Sequence, residues 1–166
     1  MAQPNALESN VWQLLTEVED PELPISIVDM GIVHRVTCEQ TEDGQKARVE
    51  ITPTYTSCPA WKEIVHRTEE RLREGGFTAV EVIMNYQVAW TPDKISPEGN
   101  EKLRQFGVAR LKQMRHGERA ECPLCSGTHV RMENAFGPTL CKMIYHCLDC
   151  NSPFEVMKQL GTYSPS

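Results

Sequence analysis

Two Cys-x-x-Cys pairs near the carboxyl end constrain the fold of this chain more than any other feature of its sequence. Cys122 and Cys125 form the first pair, Cys147 and Cys150 form the second, and 21 residues lie between the pairs. Four thiolates at this spacing can close a tetrahedron around one Zn²⁺, which is the usual metal of closed four-cysteine sites. A mononuclear rubredoxin-like iron site and an Fe–S cluster use the same kind of ligands, so both stay open as alternatives.

The residues around these pairs indicate a zinc ribbon. Segments 129–136 and 140–146 alternate enough to predict two strands around a turn at Gly137 and Pro138. Gly127 is expected to supply a left-handed residue after the first pair. A ribbon of about 45 residues has too little core to fold alone, so we expect the metal to supply its folding energy.

Three further side chains in this region are weaker ligand candidates. Cys141 is six residues from Cys147 on the same predicted strand, and we expect it to pack in the interior. His129 and His146 are reserve ligands. Replacing Cys141 is therefore not expected to release the metal.

Composition limits the classes of protein to which the chain can belong. It has 166 residues, a formal net charge of −6 and seven cysteines, five of which lie between 122 and 150. The negative charge argues against nucleic acid as a partner. No run approaches the roughly 18 apolar residues of a membrane span, and the first ten residues do not resemble a secretory signal, so we expect a cytoplasmic protein without a membrane partner. Reduced cytosolic cysteines favour metal binding or reactivity over disulfides.

The part of the chain before the ribbon has the pattern of a small α+β domain. Apolar residues recur at helical spacing over 7–18, after an Asn5–Glu8 capping box, and again over 61–72. Strands are predicted over 25–36, 47–51 and 77–86, followed by a short helix after Ser96. The order helix, strand, strand, helix, strand, helix predicts helices on one sheet face. We place this domain at 1–108, an exposed linker at 109–120 and the ribbon at 121–166.

Cys58 is the most informative residue of the first domain. If Pro59 occupies the first position of the second helix, Cys58 is its N-cap residue, where free N–H groups and the helix dipole favour a thiolate. The hydroxyls of Thr54 and Ser57 would then be able to hydrogen-bond a sulfur or a bound ligand. A buried, unreactive cysteine fits the position equally well. A Cys/His hydrolase is poorly supported, because no catalytic constellation accompanies the thiol.

Several short motifs carry a resemblance to a known family. The segments 20–24 (DPELP), 28–33 (VDMGIV), 52–55 (TPTY) and 57–59 (SCP) resemble the SufT-type metal–sulfur cluster assembly domain. Together with 89–92 (AWTP) and the terminal four-cysteine ribbon, they resemble the PaaD family of bacterial phenylacetate degradation. The resemblance covers nearly the whole chain.

The resemblance implies an accessory protein of the multicomponent 1,2-phenylacetyl-CoA epoxidase that assists maturation of its iron or Fe–S components and is not itself catalytic. It makes Cys58 the reactive thiol, which would hold iron or a cluster transiently, and places Asp29 in an acidic loop motif. Cys122, Cys125, Cys147 and Cys150 become the Zn²⁺ ligands. A structural or interaction subunit of the epoxidase without a metal-transfer role is the alternative, and self-association into a homo-oligomer stays open.

Overall fold

The computed structural model describes residues 5–55, 59–114 and 117–158, with the backbone alone for 112–114, 117 and 118. These residues form two compact units. The described part of the first unit comprises 5–53 and 59–89, and that of the second comprises 54–55 and 90–158 without 115 and 116. Each unit contains both helix and strand, so the predicted α+β class is confirmed.

The first unit is a three-stranded sheet covered by two helices. A hairpin joins the first two strands, and the second helix carries the chain across to the third strand, which runs parallel to the second. The predicted order of these elements is confirmed, and they are α1 (Ala6–Leu15), β1 (Val33–Thr41), β2 (Gly44–Ile51), α2 (Trp61–Glu74) and β3 (Phe77–Met84). The strand expected over 25–36 begins only at Val33, because the chain turns before it at Gly31, whose φ is +67°.

Local sequence signals explain where these elements begin and end. The Asn5 carboxamide oxygen accepts from the Glu8 N–H at 2.8 Å, and the Glu8 carboxylate accepts from the Asn5 N–H at 3.1 Å, which completes the predicted capping box. At the hairpin turn, Gly44 has a φ of +121° that other residues rarely adopt. On β2, Val49 and Ile51 are fully buried whereas Arg48 is exposed, so one sheet face is covered.

The start of α2 differs from the sequence-based expectation. The helix begins at Trp61 with Ala60 as its N-cap residue, and the Ile64 N–H donates to the Ala60 carbonyl at 3.0 Å. Cys58, which lies outside the described residues, stands two positions before this cap in the sequence. The prediction that Cys58 is the N-cap residue is therefore wrong, and the capping argument for a thiolate at Cys58 no longer holds.

The second unit is built on a four-stranded sheet of order β4-β9-β8-β7, with a separate two-stranded hairpin of β5 and β6. Strand β4 pairs with β9 in parallel, and the other pairs are antiparallel. Its elements are a 3₁₀ turn (Pro92–Lys94), α3 (Pro97–Gln105), β4 (Val108–Arg110), β5 (Lys112–Met114), β6 (Gly117–Arg119), β7 (Val130–Asn134), β8 (Lys142–Cys147) and β9 (Ser152–Met157).

The segment expected to be an exposed linker is part of this unit. Strands β4, β5 and β6 lie within 108–119, and Leu111 and Ala120 are buried against Met143, Phe154 and Val156 in the ribbon core. The helix α3 also belongs to the second unit, since the units divide after Ala89. The limits 1–108 and 121–166 differ from these units and stay a prediction that truncated chains can test.

None of the helices within the described residues is long and apolar enough to cross a bilayer.

Candidate functional site

The four cysteines of the two pairs come together at one end of the ribbon sheet. Their sulfur atoms all lie within 4.8 Å of one another, with Cys122 3.7 Å from Cys150 and Cys125 3.6 Å from Cys147. A tetrahedral Zn²⁺ with Zn–S bonds near 2.3 Å separates its ligands by about 3.8 Å. The sulfurs therefore already have the spacing of a closed four-cysteine centre, and the donor set fits a thiophilic cation.

The turns that hold these sulfurs repeat one backbone geometry. Ser126 and Asn151, the residues after each pair, have left-handed φ values of +60° and +56°. The Ser126 N–H donates to the Cys122 carbonyl at 2.9 Å, and the next N–H, that of Gly127, points at the Cys125 sulfur at 3.4 Å. Such turns aim backbone N–H dipoles at the thiolates, so they stabilise negative charge on the ligands.

Gly127 has a different role from the one expected. The left-handed residue after the first pair is Ser126, so the prediction for Gly127 is wrong. A Cβ atom at Gly127 would instead collide with the carboxylate of Asp149, which lies inside the second pair. A larger residue would have to push the Asp149 side chain aside, so the small size of glycine suits the close approach of the two turns.

Without a metal, the crowded sulfurs do not ionise equally. Burial raises the pKa of the Cys122 thiol. The Gly127 N–H lowers the pKa of Cys125, but burial and hydrogen bonds with the neighbouring sulfurs raise it to about 12. A hydrogen bond from Ser152 and bonds from the sulfurs lower the pKa of Cys150 to about 7. A cation that binds all four thiolates must therefore displace protons from Cys122 and Cys125.

Two histidines brace the second turn from outside the cluster. His129 Nδ1 lies 2.7 Å from an Asp149 carboxylate oxygen, and the His129 carbonyl accepts from the Leu148 N–H at 2.8 Å. The hydrogen bond raises the pKa of His129 and lowers that of Asp149. His146 Nε2 lies 2.9 Å from the Asn151 side-chain oxygen. Neither histidine belongs to the group of four sulfurs. Their hydrogen bonds to the second turn could not be predicted from the sequence.

Cys141 lies apart from the cluster, as the sequence predicted. Its side chain is buried, and its sulfur is 3.2 Å from the Thr139 hydroxyl. It is not among the group of side chains in the described residues that can share one metal ion.

The second candidate site is described only in part. Ser57 and Cys58 lie outside the described residues, and Thr54 is half-buried. The half-buried Asp29 donates its N–H to the Ser26 hydroxyl at 3.0 Å. The Thr52 N–H donates to the Ile32 carbonyl at 2.7 Å, which brings the end of β2 beside the loop that contains Asp29. The roles of Asp29, Thr54, Ser57 and Cys58 stay predictions.

Comparison with known proteins places the chain in a family. It is 34% identical over 153 residues to a protein of Escherichia coli (strain K12) whose name describes it as a "Putative 1,2-phenylacetyl-CoA epoxidase" subunit, with 89% of this chain and 90% of the relative covered. The chain belongs to the PaaD family. Residues 107–158 match the PaaD zinc beta ribbon domain, and residues 8–82 match the iron-sulfur cluster assembly protein family. The resemblance noted from the sequence motifs is thereby confirmed.

Other relatives share only part of the chain. The Fe-S protein maturation auxiliary factor YitW of Bacillus subtilis (strain 168) is 35% identical over 94 residues, which cover 55% of this chain and 87% of that protein. A crystal structure of a domain of unknown function, DUF59, from Bacillus anthracis has a TM-score of 0.52 at 28% identity, covering 57% of this chain and 88% of that one. Ninety-four residues are too few to span both matched domains of this PaaD family member.

Proposed function

We propose that this PaaD family member is an accessory factor in phenylacetate catabolism that assists the loading of iron or an Fe–S cluster into components of 1,2-phenylacetyl-CoA epoxidase. The observation that carries the proposal is the presence, in one chain, of an iron-sulfur cluster assembly domain and a PaaD zinc ribbon. The relatives support the same assignment by their names, which join an epoxidase subunit with Fe-S maturation factors. The chain acts in the cytoplasm and does not itself oxidise the substrate.

The four-cysteine centre has a structural task in this proposal. Cys122, Cys125, Cys147 and Cys150 hold one Zn²⁺, for which their sulfur spacing is already suitable. The bound Zn²⁺ supplies no redox chemistry and closes the ribbon by joining its two turns. Two of the sulfurs, those of Cys122 and Cys147, are buried, which suits a permanent site better than a site that exchanges its metal with a client.

Cys58 is the proposed carrier of the transient cargo. A soft thiolate is a suitable ligand for iron or for an Fe–S cluster in transit. The backbone contact between Thr52 and Ile32 supports this role, because it brings the strand that leads to the Cys58 loop next to the loop of Asp29. Thr54 and Ser57 supply hydroxyls on the intervening segment. Iron is cargo here, whereas zinc is the resident metal.

The alternative is a structural or interaction subunit of the epoxidase with no part in metal transfer. The name of the Escherichia coli relative, which calls it a subunit, favours this alternative. The two functions differ in what they require of Cys58, since a structural subunit needs only its surface.

Reconstitution with purified components tests the proposal. The metal-free epoxidase components are incubated with Fe²⁺ and sulfide, with this chain or with its Cys58→Ser variant, and the metal in each component is then counted. We expect wild-type chain to speed metal loading of a component and Cys58→Ser to lose that effect, because a protonated serine hydroxyl is a poor ligand for iron and sulfide. Equal loading with both chains would leave only the subunit role.

A further inference from the structure

Exposed apolar side chains are distributed unevenly between the two units. Within the described residues, the first unit exposes one large hydrophobic side chain, that of Tyr86. The second unit exposes six, although both units are of similar size. A few scattered exposed hydrophobic residues are normal on any protein, but several on one small unit indicate an interaction surface. These six residues are Phe106, Leu124, Met132, Phe136, Leu140 and Leu148.

Two of the six share one groove of the ribbon. Met132 on β7 and Leu148 in the second cysteine turn are 45% and 57% exposed, and they line a groove of about 550 Å³ together with Ala120, Val130 and Tyr145. Met132 pairs with Tyr145 across β7 and β8, so both side chains lie on the same sheet face. The groove therefore has a continuous apolar floor beside the zinc turn.

The edge of the sheet runs along this groove. Strand β7 is the last strand in the order β4-β9-β8-β7, and no strand of the described residues pairs with its outer side. An edge strand beside an apolar groove is the arrangement that binds an extended segment of another protein.

The charge at the groove defines the partner further. Arg119 lines the groove, is exposed, and makes no ion pair within the described residues. The neighbouring His129 already shares a hydrogen bond with Asp149, so the Asp149 carboxylate is engaged elsewhere. A partner that covers the apolar floor would complement this site with a carboxylate next to the Arg119 guanidinium.

The similarity of each domain to known families also bears on which protein binds at this groove. The ribbon at 107–158 matches a domain family that is named for PaaD, and residues 8–82 match the iron-sulfur cluster assembly protein family. The relative that covers 89% of this chain bears the name of an epoxidase subunit. The ribbon is thus the part of the chain that is associated with one particular enzyme, the epoxidase. A general assembly domain needs an additional surface to select a single client.

We propose that the groove formed by Val130, Met132, Tyr145 and Leu148 docks the epoxidase component that receives the metal, through an extended apolar segment that carries an acidic side chain beside Arg119. This inference rests on the proposed function and names the partner surface of that function. The ribbon then selects the client, while the assembly domain handles the cargo.

Binding of the full-length, zinc-loaded chain to each purified epoxidase component tests the inference. We expect one component to bind wild type, and Leu148→Ser or Met132→Ser to raise its Kd about tenfold or more, since a central apolar anchor typically carries more than 1.4 kcal/mol. Arg119→Glu should slow association. The matched control is Leu140→Ser, because Leu140 has the same 45% exposure as Met132 but does not line the groove. Zinc content should equal that of wild type in every variant.

Each other outcome contradicts the inference. Unchanged binding by Leu148→Ser and Met132→Ser, or an equal loss with Leu140→Ser, would show that the groove is not the docking surface. Absence of binding by wild type would do the same. Self-association that Leu148→Ser abolishes, with client binding intact, would make the groove an interface between copies of this chain. Cys58→Ser should bind like wild type, so a failure of the metal-transfer role is read separately from a failure of docking.

Discussion

Replacing Cys147 and Cys141 separately provides a direct test of the metal centre. Both cysteines are buried and they are only six residues apart, yet only Cys147 has its sulfur among the four that converge. Cys147→Ser should weaken zinc binding, because three sulfurs and a protonated hydroxyl replace four thiolates. Cys141→Ser should keep the zinc, because the serine hydroxyl can still hydrogen-bond to Thr139 at the position where the Cys141 sulfur lies 3.2 Å away.

The size of the effect follows from the number of ligands. If structural zinc contributes about 10 to 16 kcal/mol and the four bonds share it equally, loss of one costs about 2.5 to 4 kcal/mol, or roughly 100- to 1000-fold in Kd. Competition with a coloured chelator measures the Kd, and elemental analysis of the purified proteins gives the stoichiometry, which should be about one zinc in wild type and in Cys141→Ser. Stoichiometric zinc loss in Cys141→Ser, or wild-type affinity in Cys147→Ser, would refute the ligand assignment.

Three further predictions follow from the same structure. Because Cys122 and Cys125 must each release a proton to bind zinc, the zinc Kd should rise at least about 100-fold per pH unit as the pH falls below 7, and a change of tenfold or less in a chelator titration would contradict this. Burial raises the pKa of Cys38 to about 11, so at pH 7.5 an ordinary thiol at Cys58 should alkylate roughly 300-fold faster, as read by mass spectrometry of the labelled peptides; a ratio near one would remove the case for an accessible thiol. A fragment of residues 90–166 should melt roughly 10 °C above a fragment of 109–166 when both hold zinc, since the shorter one lacks buried Leu103 and Val108; equal Tm values would favour the boundary expected from the sequence.

Much of the metal centre is predictable because the information is local. The Cys-x-x-Cys spacing itself predicts a turn at each pair, and alternating apolar and polar residues predict the strands between the pairs. The sequence alone is therefore enough to identify four candidate metal ligands, which are Cys122, Cys125, Cys147 and Cys150. Asn151 suits its left-handed φ of +56°, since asparagine tolerates that geometry better than most residues.

The features that the sequence analysis missed depend on contacts between distant segments. Strand β4 has only three residues, and from the sequence it looks like part of a linker. Its strand character depends on parallel pairing with β9, which lies about 47 residues later in the chain. Gly127 leaves room for the Asp149 side chain of the other turn and does not supply a left-handed backbone angle. The start of α2 at Trp61 rather than Pro59 is a small shift, but it removes the capping argument for Cys58.

The proposed docking surface beside the short edge strand β7 also could not be predicted from the sequence. Val130 and Met132 predict one face of a strand from the sequence, but only the sheet order reveals that no described strand covers its outer side. Leu148 looks like an ordinary residue inside a metal turn until its 57% exposure and its place beside Met132 are known.

The central claim is that Cys58 transfers metal to the epoxidase, and one measurement in cells tests it most directly. A strain that lacks this gene is supplied with wild-type chain or Cys58→Ser, growth on phenylacetate is followed, and the metal content of the purified epoxidase is determined in parallel. Metal transfer through Cys58 predicts no growth and a metal-poor epoxidase with Cys58→Ser, although that variant retains its zinc. Normal growth with a fully metallated epoxidase would contradict the claim.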